Sequence, residues 1–219
     1  MSGHAAAAGE DPHHLGHGSH KKRLTAEHSH TLLFKRIIVG YGFWIFLLSD
    51  IIMFSAFFAT YAVLVGSTAG GPGGAQLFDL RNVAVETGCL LASSFTCGLA
   101  SIGAHGKNNL WFYGGMAATF VLGAAFLSIE INEFAGLVAR GDGPTRSAFL
   151  SAFFTLVGCH GLHVTVGLLW LLTMMAQVFA KGYRPDILRR VLCFSLFWHA
   201  LDIIWVGVFT VVYLMGVAP

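Results

Sequence analysis

Charge is what this sequence has least of. Only 11% of its 219 residues are Asp, Glu, Lys or Arg, against 55% that are hydrophobic, and the mean hydropathy is +0.68. A soluble domain of this length could not stay dispersed with so few charges, so the composition predicts a polytopic membrane protein. Cysteine is sparse as well. Cys89, Cys97, Cys159 and Cys193 lie inside apolar segments at no metal-ligand spacing, and they read as small core residues rather than disulfides or a cluster site. The N-terminal region has no apolar core of a signal peptide. Gly70-Gly71-Pro72-Gly73-Gly74 has no accompanying Lys and no phosphate-loop pattern, so it is a connector and not a nucleotide site. With a formal charge of only +2, no nucleic-acid partner is expected.

What is present is a set of long uncharged runs. The stretch from Ser147 to Ala180 has no acid and no Lys or Arg, and as a helix rising about 1.5 Å per residue it would run about 50 Å, enough to cross a bilayer. Four more runs complete an all-α integral membrane protein. The expected architecture is a bundle of five transmembrane helices over about 40–65, 82–104, 110–139, 147–180 and 191–217. Residues 1–33 are polar and carry His4, His13, His14, His17, His20, His28 and His30 at irregular spacing, which predicts a solvated, disordered tail preceding a membrane domain over 34–217. Lys21, Lys22, Arg23, Lys35, Arg36, Lys107, Lys181, Arg184, Arg189 and Arg190 fall on one side of such a bundle, and Arg81, Arg140 and Arg146 on the other. That asymmetry predicts a cytoplasmic N-terminus and a periplasmic C-terminus.

The few ionisable residues within the spans are the candidate site. Asp50 interrupts the first span, Glu86 opens the second, Glu130 and Glu133 share a face of the third, His160 and His163 a face of the fourth, and His199 and Asp202 a face of the fifth. Polar groups at membrane depth turn toward protein partners. The economical arrangement is one carboxylate-imidazole network across the third, fourth and fifth helices that fixes the register of the bundle. Two sharper readings compete with it. Glu and His at i, i+3 spacing are what helical metal sites use, although neither acidic pair forms the Glu-x-x-His motif of di-iron bundles. Histidines also serve as axial haem ligands, but His160 and His163 are too close along one helix for two stacked haems. A proton-coupled carrier built around Asp50 is a third possibility. Gly158, Gly161 and Gly167 beside the histidines suggest a slim face for close helix packing, and Trp198 and Trp205 read as core or lipid-facing bulk.

Four of these runs also carry a resemblance. Trp44-Ile45-Phe46-Leu47-Leu48-Ser49-Asp50, Ser128-Ile129-Glu130-Ile131-Asn132-Glu133, Gly158-Cys159-His160-Gly161-Leu162-His163-Val164 and Phe197-Trp198-His199-Ala200-Leu201-Asp202-Ile203-Ile204-Trp205 occur in one order over about Gly42 to Gly216. In this the chain resembles subunit III of the haem-copper terminal oxidases. Its five-span form, without two additional N-terminal helices, is most similar to the bacterial cytochrome bo ubiquinol oxidase branch. The resemblance implies a bacterial inner-membrane subunit with no cofactor of its own. It would pack beside subunit I, which holds the haems and copper, in a complex with subunits II and IV. It would also bind phospholipid in an interhelical cleft and support proton uptake and the durability of the active complex. The family's acid in the first matching helix is often Glu, whereas this chain has Asp50, whose side chain is one methylene shorter.

Overall fold

In the computed structural model the backbone is described for residues 15–217 and the side chains for residues 38–216 other than Ala75. Among the described residues every regular element is helical: α1 (Leu15–Leu64), α2 (Gly74–Leu77), α3 (Leu80–His105), α4 (Asn109–Ala139), α5 (Ala148–Lys181), α6 (Pro185–Val208), a π-helical segment (Phe209–Leu214) and α7 (Met215–Val217). Five stretches are long and apolar enough to cross a membrane: Ile38–Leu64, Leu80–His105, Asn109–Ala139, Ala148–Lys181 and Pro185–Leu214.

The described residues fall into two compact units that divide between Ile45 and Phe46. In the first, the backbone is helical from Leu15. Residues 1–14 of the tail expected over 1–33, and the side chains up to residue 37, lie outside the described residues.

In the second unit each helix starts and stops for a local reason. Asp79 caps α3 by accepting from the Arg81 N–H, Asn108 caps α4 by accepting from Leu110 and Trp111, and Ser147 caps α5 by accepting from Leu150. Gly182, at φ 69 and ψ −170, takes a positive-φ extended conformation open chiefly to glycine, and α5 ends there. Helix α6 begins at Pro185 and not near residue 191. Proline suits a first helical position, and the Asp186–Arg189 pair at 2.6 Å lets two charged side chains occupy the first turns.

Helices α3 and α4 form the tightest hairpin. A methyl group on Gly115 would lie 2.8 Å from Ala100 Cβ, and one on Gly103 would lie 2.8 Å from the Phe112 nitrogen, so bare backbone is what allows the approach. Thr96 and Thr119 hydroxyls bond across this interface at 2.8 Å. Trp198 of α6 is the pin that joins four helices. Its ring lies in a slot left by Gly123 of α4 and Gly167 of α5, about 3 Å from where each Cβ would be, and its indole N–H donates to Ser93 Oγ of α3 at 3.0 Å. One turn-pair further along α6, Trp205 donates to Thr87 Oγ1 of α3 at 3.1 Å. These tryptophans are hydrogen-bonded anchors, a role that bulk alone does not convey.

Candidate functional site

The eight ionisable residues are divided among three places and do not form one network. The reason is angular. An i, i+3 pair shares a helix face, but which neighbour that face meets depends on helix rotation, and α4, α5 and α6 aim their pairs at different partners.

The first place is a carboxylate cluster. Glu86 of α3 and Glu130 and Glu133 of α4 lie within electrostatic reach of one another, and Tyr213 of the π-helical segment faces all three. Glu86 is fully buried, and both its oxygens, both of Glu133 and Oε2 of Glu130 have no hydrogen-bond partner among the described residues. Glu130 is seated by Gly161, since a Cβ there would come within 3.0 Å of Oε1. Glu133 borders a cavity of about 410 Å³ whose lining includes Asp79, Asn82, Asn132 and Arg140. Tyr213 reaches the cluster from the π-helical stretch, where the wider turn changes which residues face inward.

The second place holds the histidines of α5. His160 is fully buried in a cage of rings, with Trp205 at 5.1 Å, Phe126 at 5.8 Å and Phe54 at 6.3 Å between centroids, and neither of its nitrogens has a hydrogen-bond partner among the described residues. His163 turns toward α1, with its ring 5.3 Å from that of Phe54. Its Nδ1–H donates to the Cys159 carbonyl at 2.8 Å, which leaves Nε2 as the ring nitrogen with no bond to the helix backbone. Asp50 of α1, half-buried, lies within electrostatic reach of this histidine. The acid that stood alone in its own helix thus has a counterpart on α5.

The third place joins α3 and α6. Ser94 Oγ and His199 Nδ1 share a hydrogen bond of 2.6 Å, and the Asp202 carboxylate lies against the same pair while its Oδ1 is buried and unpartnered. Ser94 and Tyr213 were not among the residues singled out from the sequence. Hydroxyls in apolar runs carry no charge signal, and only the heptad spacing of Thr87 and Ser94 along α3 hints that one face of that helix serves α6.

No group of three or more His, Cys, Asp or Glu among the described residues is disposed to hold a metal ion. The geometry explains this. The rings of Phe54, Phe126 and Trp205 surround His160, and His199 shares a hydrogen bond with Ser94.

The family model described as cytochrome c oxidase subunit III matches residues 21–217. The chain is 56% identical over 180 residues to cytochrome bo(3) ubiquinol oxidase subunit 3 of Pseudomonas aeruginosa, covering 80% of this chain and 84% of that protein. It is 43% identical over 179 residues to quinol oxidase subunit 3 of Bacillus subtilis (80% and 86% covered). It is 45% identical over 181 residues to cytochrome c oxidase subunit 3 of Bacillus sp. strain PS3 (80% and 84% covered).

Proposed function

The chain belongs to the cytochrome c oxidase subunit III family, and from that premise we propose that it serves as the non-redox subunit III of a proton-pumping ubiquinol oxidase. It is a multi-pass protein of a bacterial inner membrane. The observation that carries the choice of donor is the 56% identity to a ubiquinol oxidase subunit across most of both chains. In this reading the haems and copper reside on subunit I, subunits II and IV complete the complex, the N-terminus is cytoplasmic and the C-terminus periplasmic.

The chain's own residues then have supporting tasks. Asp50 of α1 lies within electrostatic reach of His163 of α5, in the span whose residues are least buried. This pair is the proton-linked part of the subunit, and it sustains turnover without touching a redox centre. Along α1 the contacts come from side-chain tips, Phe58 against Gly207 and the Tyr61 hydroxyl donating to the Val212 carbonyl at 3.3 Å. The phospholipid of this subunit is assigned to the side of α1, whose residues are the least buried of the five spans.

Purification from native membranes tests the assignment. The chain is expected to copurify with a large subunit that contributes the haem absorption spectrum and the copper. Recovery as a lone protein with one equivalent of metal or haem would overturn it.

A further inference from the structure

We infer that Glu86, Glu130, Glu133 and Tyr213 form a proton-binding site, apart from Asp50 and His163, that shares protons among three carboxyl groups and exchanges them with water through the cavity that Glu133 borders. Glu86 is fully buried and Glu130 is 3% exposed, and neither Glu86 oxygen nor Oε2 of Glu130 has a hydrogen-bond partner among the described residues. Both Glu133 oxygens are in the same position. Facing them is the Tyr213 hydroxyl, a fully buried donor that also has no partner among the described residues. The site lies wholly within this chain, so its test is independent of the subunit assignment.

The seal around these oxygens decides what can satisfy them. Each has almost no accessible surface, so a lipid headgroup, a helix of another subunit or a water molecule finds no room beside it. A proton needs none. An ionised carboxylate only accepts hydrogen bonds, whereas a protonated one both donates and accepts, so a proton on one glutamate supplies the donor that its neighbour lacks. Three bare charges within reach of one another in so dry a place would be far costlier. The surrounding groups do not take over that task. Asp79 and Arg140 bear on Glu133 with opposite signs, and Tyr61 of α1 bears on Tyr213. Helix α5 offers Glu130 the bare backbone of Gly161, while His160 beside it is turned into the rings of Phe54, Phe126 and Trp205. The site is also shallow enough to exchange. Glu86 lies about 9 Å from the start of α3 at Leu80, and Glu133 lies as far from the end of α4 at Ala139. There the cavity of about 410 Å³ has Asp79, Asn82, Asn132 and Arg140 in its lining, a polar entry for water, and Glu133 is the member that meets it as its side chain turns.

Infrared spectroscopy on the full chain, purified from native membranes with whatever subunits accompany it, tests the site. A protonated carboxyl group has a C=O stretch separate from the carboxylate bands, and that stretch moves in heavy water once the proton exchanges. Glu86→Gln and Glu130→Gln keep the shape of the side chain while removing the titratable proton. Each is expected to remove one group's intensity from the protonated-carboxyl band at neutral pH and to shift what remains, because the groups titrate as a unit. The two variants lie on different helices and read the same band, so either one that reaches the membrane decides. Glu133→Gln is expected to slow the heavy-water shift of the remaining band about tenfold or more, since exchange then waits for local opening of the helices. A protonated-carboxyl band left unchanged by Glu86→Gln or by Glu130→Gln would overturn the inference. So would exchange at the wild-type rate in Glu133→Gln.

Discussion

The first and last spans each carry an aspartate near mid-membrane, yet the protein holds them differently. In the most apolar part of the first span only 11% of residues are buried, against 56% in the last. Asp202 lies in α6, which is pinned by Trp198 and Trp205 to hydroxyls on α3, and it shares its surroundings with Ser94 and His199. Asp50 lies in α1, whose grip on the bundle is a row of side-chain tips, and it faces His163. The same residue type at the same depth is thus part of an inter-helix joint in one place and a lightly held acid in the other. Tight packing fixes geometry, and loose packing leaves an acid able to exchange its proton as its surroundings change.

The largest expected effect breaks the tight side. Trp198→Ala removes the ring that fills the slot between Gly123 and Gly167 together with its bond to Ser93, and truncations of this size cost about 3 to 5 kcal/mol. The variant is expected to accumulate poorly in membranes and to lose its place in the complex; wild-type levels would show that α6 is not the joint described. A smaller effect comes from overfilling the same slot. Gly167→Ala places a methyl group 2.9 Å from the Trp198 ring and should cost about 1 to 3 kcal/mol in denaturant titration. Adding Trp198→Phe should recover part of that loss, since the smaller ring vacates the contact, and strictly additive losses would argue against it.

Smaller again is the loss of one hydrogen bond. Thr87→Val keeps the shape beside Trp205 but strands its indole N–H, for about 1 to 2 kcal/mol, read as a lower unfolding midpoint with an unchanged transition slope. On the loose side, Asp50→Asn keeps size and hydrogen-bonding capacity and should change stability by less than about 0.5 kcal/mol. A loss as large as that of Thr87→Val would mean that the first span is held as firmly as the last.

Much of this was legible in the sequence because depth in a membrane is a one-dimensional property. Runs without charge locate the spans, and the position of Asp50, Glu130 or His199 within a run gives its height. Rotation about each helix axis is not written so directly. Glu130 and His160 look like partners when only height is known, yet Glu130 settles on the bare backbone of Gly161 while the His160 ring turns into Phe54, Phe126 and Trp205. The π-helical turn that brings Tyr213 to the glutamates is also silent in the sequence, since Phe209–Leu214 is as apolar as the helix before it. The six residues of helix that precede residue 191 are not written plainly either, because Arg189 and Arg190 look like loop residues. In the fold Arg189 bonds Asp186 and Arg190 donates to Gln177 of α5 at 2.9 Å, so both are satisfied within a helix.

The contrast between the two aspartates is tested most directly by following oxygen consumption of the purified oxidase over many turnovers with Asp50→Asn in this subunit. The account expects normal assembly, an unchanged haem spectrum and an initial rate within about twofold of wild type, followed by faster loss of activity or weaker proton pumping. Decay and pumping equal to wild type across the pH range would contradict it, and would reduce Asp50 to a hydrogen-bonding group no different in kind from Asp202.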